Sequence, residues 1–220
     1  MKKVAVIHTT PVTIPALKKE ILAACGQVEV INLLDDSMLP KINQSGKITP
    51  DVRYRLHTLM LLAQSAGADA VLCACSSIGG IFEEGRALLS IPALRIDEPM
   101  AERAAAFRKV GVAATLQSTI GPTTELILCK AAALGREVAV DAKVIDNVGT
   151  LLAEGREARY DQIVGDELRK LAWNNDVVVL AQASMARAVA GFGEEERQRF
   201  LTSPVSGVAA LAKRLAEIDV

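Results

Sequence analysis

Four cysteines, Cys25, Cys73, Cys75 and Cys129, and two histidines, His8 and His57, supply all the thiol and imidazole chemistry open to this chain. Cys75 stands out by its setting. It closes the run Val71-Leu-Cys-Ala-Cys75 and is followed by Ser76 and Ser77, so a strand ends and a helix begins around it. Free backbone N–H groups and the helix dipole lower a thiol pKa at such a junction. A thiolate there can serve as a base or a nucleophile. Cys73 shares a strand face with Cys75 in a period-2 pattern and is expected inside the sheet. Cys129, in Leu126-Ile-Leu-Cys129, reads as helix core. Cys25 precedes Gly26 at a helix end and reads as a surface or packing residue. His57 lies beside Arg53 and Arg55 and is expected in solvent. His8 ends the first apolar run next to Thr9, where it borders the same strand-end edge or packs there with its hydrogen bonds satisfied.

Two histidines rule out a His-rich metal site, and the Cys73/Cys75 pair has no second pair at zinc-ligand spacing, so no metal is expected. Gly79-Gly80 is too little for a phosphate loop. No G-x-G-x-x-G follows the first strand and no Walker A sequence occurs, so nucleotide binding has no support.

The elements that must position these groups alternate. Strands are expected at Val4–Ile7, Val28–Leu33, Ala70–Cys73, Ala93–Ile96, Val110–Ala113, Val138–Asp141 and Val177–Leu180. Helices are expected at Ile14–Ala24, Pro50–Ala66, from about Ile78, at Glu98–Phe107, Pro122–Leu134, Gln162–Trp173, Ser184–Ala190 and Val205–Ile218. Pro122 falls in the first turn of its helix, where a missing N–H is harmless. Asp35–Ser45 reads as polar and irregular, and Thr115–Thr119 as a loop. This β–α alternation argues for parallel sheets covered by helices.

The chain also repeats itself. Val4-Ala-Val-Ile-His-Thr9 matches Val110-Gly-Val-Ala-Ala-Thr115, and Asp69-Ala-Val-Leu-Cys-Ala-Cys75 matches Asp176-Val-Val-Val-Leu-Ala-Gln182. Polar positions match as well: Thr9 with Thr115, Asp69 with Asp176, Ser77 with Ser184. Duplicated α/β lobes follow, residues 1–97 plus 205–220 forming the first and 98–204 the second. Ligands of parallel α/β sheets bind beyond the carboxyl ends of the strands. Here those ends carry Thr9, Thr10, Cys75, Ser76, Ser77, Thr115, Ser118, Thr119, Gln182 and Ser184, all suited to a small anion.

Composition narrows the partners. Of 220 residues, 50% are hydrophobic but only 3% aromatic, which suits cores of Ala, Val, Leu and Ile. A net charge of −1 gives no pull toward nucleic acid or an anionic membrane. No apolar run reaches the roughly 18 residues of a membrane span, and the opening MKKVAVIHTT is too short in apolar residues for a signal peptide. A cytoplasmic location with reduced thiols is expected. Ala-rich outer helix faces make a homodimer the expected assembly.

Val71-Leu-Cys-Ala-Cys75-Ser-Ser resembles the strand–Ala–Cys–Asn–Thr signature of the aspartate/glutamate/hydantoin racemase superfamily. Ala113-Ala-Thr-Leu-Gln-Ser-Thr119 resembles its Thr/Ser-rich carboxylate loop. Leu180-Ala-Gln182-Ala-Ser-Met185 falls where that family has Leu–Gly–Cys, and Leu201-Thr-Ser-Pro204 resembles the segment returning to the first lobe. The resemblance implies two pseudo-symmetric lobes, each a parallel sheet flanked by helices, with the active site in the cleft between them. It implies a cofactor-independent racemase or isomerase of a small carboxylate such as an amino acid or hydantoin, acting as a dimer. Cys75 maps to the first catalytic Cys, Thr9 and Thr10 to the first-strand substrate loop, and Ser76 and Ser77 to the Asn–Thr pair. Thr115, Ser118 and Thr119 would hold the carboxylate, with His8 at the border. The departure is Gln182, where the second Cys should stand. Gln182 and Ser184 would orient the opposite side, but a carboxamide is no proton-transfer base. Arylmalonate decarboxylases of the superfamily also use one Cys, at the second position, whereas its cis–trans isomerases use a nucleophilic Cys at the first. A one-Cys lyase and a non-catalytic anion-binding relative are therefore the alternatives.

Overall fold

The computed structural model describes residues 1–218 and divides into two compact units. One comprises Met1–Glu98 with the stretch from Pro204, the other Pro99–Ser203. Residues 219 and 220, which the expected first lobe includes, lie outside the described residues.

In the first unit four strands, β1 (Lys2–His8), β2 (Val28–Leu34), β3 (Ala70–Cys73) and β4 (Ala93–Arg95), form a wholly parallel sheet in the order β2-β1-β3-β4. Its helices are α1 (Ile14–Cys25), α2 (Met38–Ser45), α3 (Pro50–Ser65) and α4 (Gly79–Gly85), with most of α9 (Ser203–Glu217). Strand alternation sorts the core onto two faces. Ala5, Ile7, Val71 and Cys73 pack with Met38, Ile42, Leu56, Met60 and Phe82. Val4, Val6, Ala70 and Leu72 pack with Leu17, Ile21, Val208, Leu211 and Leu215. The chain after β1 thus turns to one face and the chain after β3 to the other. Between two such strands a crevice opens at the carboxyl edge.

The second unit repeats this plan. Strands β5 (Lys109–Ala114), β6 (Ala139–Val144), β7 (Val177–Leu180) and β8 (Phe200–Thr202) form a parallel sheet in the order β6-β5-β7-β8. Helices α5 (Glu98–Ala104), which begins on the last residue of the first unit, and α6 (Gln117–Ala133) cover the Val110/Val112/Ala114 face. Helix α7 (Glu157–Asn174) and the 3-10 segment Ala183–Val189 cover the Ala113/Val178/Leu180 face, and α8 (Glu194–Arg197) precedes β8. The matched acids of the repeat do one job in each unit. Asp69 accepts from the Lys3 N–H at 2.7 Å, and Asp176 from the Lys109 N–H at 2.9 Å. Both pin the amino edge of the sheet, away from the strand ends where the thiol lies.

The structure corrects several expectations. Residues 38–45, expected irregular, form α2, because Met38 and Ile42 lie four apart and bury together; a pair on a single turn around Pro40 is too short to show periodicity. Helix α6 begins at Gln117, not Pro122, so Pro122 lies inside it. Strand β8 was not anticipated, since three residues carry no alternation. Cys129 is exposed rather than core, because it sits off the α6 stripe of Ile127 and Ala131.

Candidate active site

In the first unit the crevice between β1 and β3 brings Thr9 to Cys75. Cys75 has extended backbone, φ −137° and ψ 116°, and the 3-10 turn Ser76–Ile78 follows at once, leading into α4. The hydroxyls of Thr9 and Ser77 and the backbone N–H groups of Ser77 and Ile78 all approach the Cys75 thiol and favour its thiolate form. The net direction is nevertheless upward, because burial of the sulfur outweighs those four donors. The thiol of lowered pKa expected from the strand–helix junction alone is thus not what the folded surroundings give. Cys73 is buried in the sheet, and burial pushes its thiol up as well.

Beneath the turn lies a buried ion pair. Arg95 donates to Asp97 through Nε at 2.9 Å and Nη2 at 2.8 Å, and the two residues are 5% and 1% exposed. A Cβ on Gly79 would come within 2.3 Å of Arg95 Nη2. The guanidinium is therefore pressed against the start of α4, and only glycine fits there.

His8 does not open onto this crevice. It is 1% exposed, with Nδ1 3.2 Å from Thr13 Oγ1 and Nε2 3.1 Å from Asn32 Oδ1. Burial holds its pKa below the ordinary value, opposed by Asn32. It is a neutral tie for the Pro11–Thr13 turn, packed at the strand end with both ring nitrogens partnered. His57, expected in solvent, is half-buried, with Nε2 3.0 Å from the Ile81 carbonyl. Thr10 caps the Pro11–Thr13 turn, its hydroxyl accepting from the Val12 N–H at 3.4 Å.

In the second unit the crevice between β5 and β7 brings Thr115 to Gln182. Gln182 Oε1 accepts from the Thr115 N–H at 2.5 Å and from the Thr115 hydroxyl at 3.0 Å. Thr115 thus stands to Gln182 as Thr9 stands to Cys75. Tyr160, in the first turn of α7, brings its phenol beside the hydroxyls of Ser184 and Thr115, but forms no hydrogen bond of normal geometry with either. The Ser118 hydroxyl, in the first turn of α6, is buried and unpartnered, and Thr119 is buried beside it. Among the described residues, no three His, Cys, Asp or Glu side chains group as metal ligands, and no helix is long and apolar enough to cross a membrane.

The family model for Asp/Glu/hydantoin racemases matches residues 4–215. The chain belongs to this family. No curated protein matches the sequence. Among solved structures, a glutamate racemase isoform from Bacillus anthracis is similar, with a TM-score of 0.77 at 16% identity over 99% of this chain and 82% of that one. The aspartate racemase of Picrophilus torridus gives 0.71 at 13% identity, covering 98% and 95%. The allantoin racemase of Klebsiella pneumoniae gives 0.67 at 18% identity, covering 100% and 89%. Identities this low speak for the fold alone.

Within the racemase family's fold, the repeat places Cys75 and Gln182 at corresponding strand ends of their own units. Two contributors escaped sequence reading. Tyr160 was missed because α7 was expected only from Gln162, which left its first turn in an unassigned loop. Asp97 was missed because nothing in its spacing from Arg95 announces a buried pair.

Proposed function

We propose that this chain is a racemase- or isomerase-type enzyme acting on a small carboxylate, an amino acid, hydantoin or related anion, with Cys75 as its one reacting thiol. The observation that supports this is the convergence of four hydrogen-bond donors on Cys75 at a strand end, in a chain of the racemase family. Thr9, Thr10, Ser76 and Ser77 of the first unit, and Thr115, Ser118 and Thr119 of the second, are proposed as anion-binding residues. The Cys75 thiolate takes the proton α to the carboxylate or attacks the substrate. Charge then grows on the carboxylate oxygens, where hydroxyl and N–H donors stabilise it. Gln182 has no proton to exchange at ordinary pH, so the same thiol returns the proton, and handedness changes only when the planar intermediate turns over before it is reprotonated. Gln182 and Ser184 orient the bound molecule.

Burial raises the thiol, so Cys75 is protonated at neutral pH and its thiolate fraction grows as pH rises. Its alkylation by iodoacetamide is expected to accelerate about tenfold per pH unit through the neutral range, with no plateau below the ~8.5 of a free thiol. Peptide mass spectrometry at several pH values checks this; a plateau at or below pH 7 would contradict it.

The same upward direction, together with Gln182, favours a second reading, a relative that binds a small anion without converting it. A lyase that releases CO₂ is the third. Incubating amino acids, hydantoins and malonates in deuterated buffer separates them: α-exchange or isomerisation supports the proposal, CO₂ loss the lyase, and no turnover on any compound the binder.

A further inference from the structure

The stretch from Cys73 to Gly79 is held at both ends by one residue, Arg95. Its backbone lies opposite Cys73 in the β3–β4 register, and the next N–H, of Ile96, donates to the Cys73 carbonyl at 3.0 Å. Its side chain lies against the other end. A Cβ on Gly79 would stand 2.3 Å from Nη2, 2.4 Å from Cζ and 2.7 Å from Nε. Between those two points run Cys75 and the Ser76–Ile78 turn, whose N–H groups at Ser77 and Ile78 approach the thiol. The guanidinium itself is fixed by Asp97, which accepts from both Nε and Nη2. Such a two-point fork leaves a planar group little freedom. The second unit builds the same sheet without this pair. At the repeat's offset Thr202 stands for Arg95, opposite Leu180 in the β7–β8 register, and Ala186 stands for Gly79. Pro204 follows Thr202 where Asp97 follows Arg95. The strand end there carries Gln182 in place of the thiol. The arginine, its acid and the glycine therefore occur together, in the unit that holds Cys75. A buried ion pair adds little net stability over apolar side chains of similar size, so fold strength alone does not account for it.

We infer that Arg95, clamped by Asp97, is a positioning residue for Cys75: its guanidinium sets where the Ser76–Ile78 turn sits, and with it how near the Ser77 and Ile78 N–H groups come to the sulfur. This rests on the proposed function only in taking Cys75 as the reacting thiol. Arg95 acts through Gly79 rather than on the sulfur itself. A guanidinium suits the task because it never sheds its proton and so keeps its hold on the carboxylate. The turn it places offers N–H groups that favour the thiolate against burial. Displacing the turn withdraws those donors and leaves burial less opposed, so the thiol moves further up.

The test is Cys75 alkylation by iodoacetamide in the full chain, followed from about pH 7 to about pH 10.5 by peptide mass spectrometry. Gly79→Ala forces the turn off the guanidinium and is expected to shift the profile to higher pH. At neutral pH it is expected to slow the reaction at least about fivefold, the order of one lost hydrogen bond to the thiolate. Arg95→Met with Asp97→Asn removes both charges together, so neither is left uncompensated, and the same slowing is expected. In that background Gly79→Ala is expected to add less than about twofold, because the group it collides with is gone. Leu211→Ala, in the core on the sheet's other face, is expected to lower the melting temperature and leave the profile in place. Thermal melting establishes that each variant folds, and Gly79→Ala reads the contact by itself if the double variant does not. A profile unmoved by Gly79→Ala, an equal effect of Gly79→Ala in both backgrounds, or a shift as large in Leu211→Ala would each overturn the inference. Alkylation requires no turnover. A shifted profile in a chain that converts nothing supports the positioning role and sinks the thiol reaction, and turnover that depends on Cys75 with an unmoved profile does the reverse.

Discussion

Replacing Cys75 by serine is expected to cut turnover at least a hundredfold on whatever carboxylate the native chain converts. The exchange is nearly isosteric, so Thr9, Ser77 and Ile78 keep a partner and the fold is unaffected. What is lost is the reacting group. A serine hydroxyl is a far weaker acid than a thiol, and its alkoxide is scarce even where burial already pushes Cys75 up. One positioned acid–base group contributes about 10²–10⁴-fold to a rate, and no second thiol stands at the corresponding strand end to share the task. The comparison is kcat/KM for the native chain, Cys75→Ser and the control Cys129→Ser, whose exposed thiol lies on the outer side of α6. Cys129→Ser is expected to match the native chain. Full activity in Cys75→Ser would remove Cys75 from the reaction.

The largest stability effect is expected from Asp97→Ala. Arg95 cannot shed its proton, and at 5% exposure it cannot reach water without moving the start of α4 that Gly79 presses against it. Removing one partner of a buried pair costs about 3–5 kcal/mol, because the other charge is left uncompensated. Urea unfolding is expected to show a correspondingly lower midpoint at unchanged slope. The turn leading into α4 carries Ser77 and Ile78, whose N–H groups face Cys75, so the variant is expected to change Cys75 alkylation as well. A midpoint equal to the native one would mean that the pair contributes little.

The central strands β1, β3, β5 and β7 were legible because they are buried on both faces, so each reads as a run dominated by Val, Ile, Leu and Ala bounded by turn residues. The repeat was legible for the same reason, and its polar matches proved to be of two kinds: Asp69 and Asp176 tie sheet edges, whereas Thr9 and Thr115 each face the residue that ends the neighbouring strand. Helix α2 and strand β8 were not legible, since a single i,i+4 pair and three residues carry no period. Around the site, Cys75 could be found from strand, thiol and turn order. The direction of its pKa could not. A junction argument counts the local N–H groups and dipole, whereas the burial that outweighs them comes from chain folded over the sulfur. His8 packs with its ring satisfied by Thr13 and Asn32, the second of the two settings that its place at the strand end allowed. Tyr160 reaches Ser184 only through the fold, from 24 residues earlier in the chain.

The central claim is one-thiol chemistry, and the stereochemical course in deuterated water tests it most directly. A single enantiomer of an accepted amino acid or hydantoin is incubated with the native chain, while α-deuterium is followed by mass spectrometry and handedness by chiral chromatography. With Cys75 taking and returning the proton on one face, deuterium is expected to enter faster than handedness is lost. Inversion in step with deuteration, one event for one, would require a second proton-transfer group and would contradict the one-thiol reading.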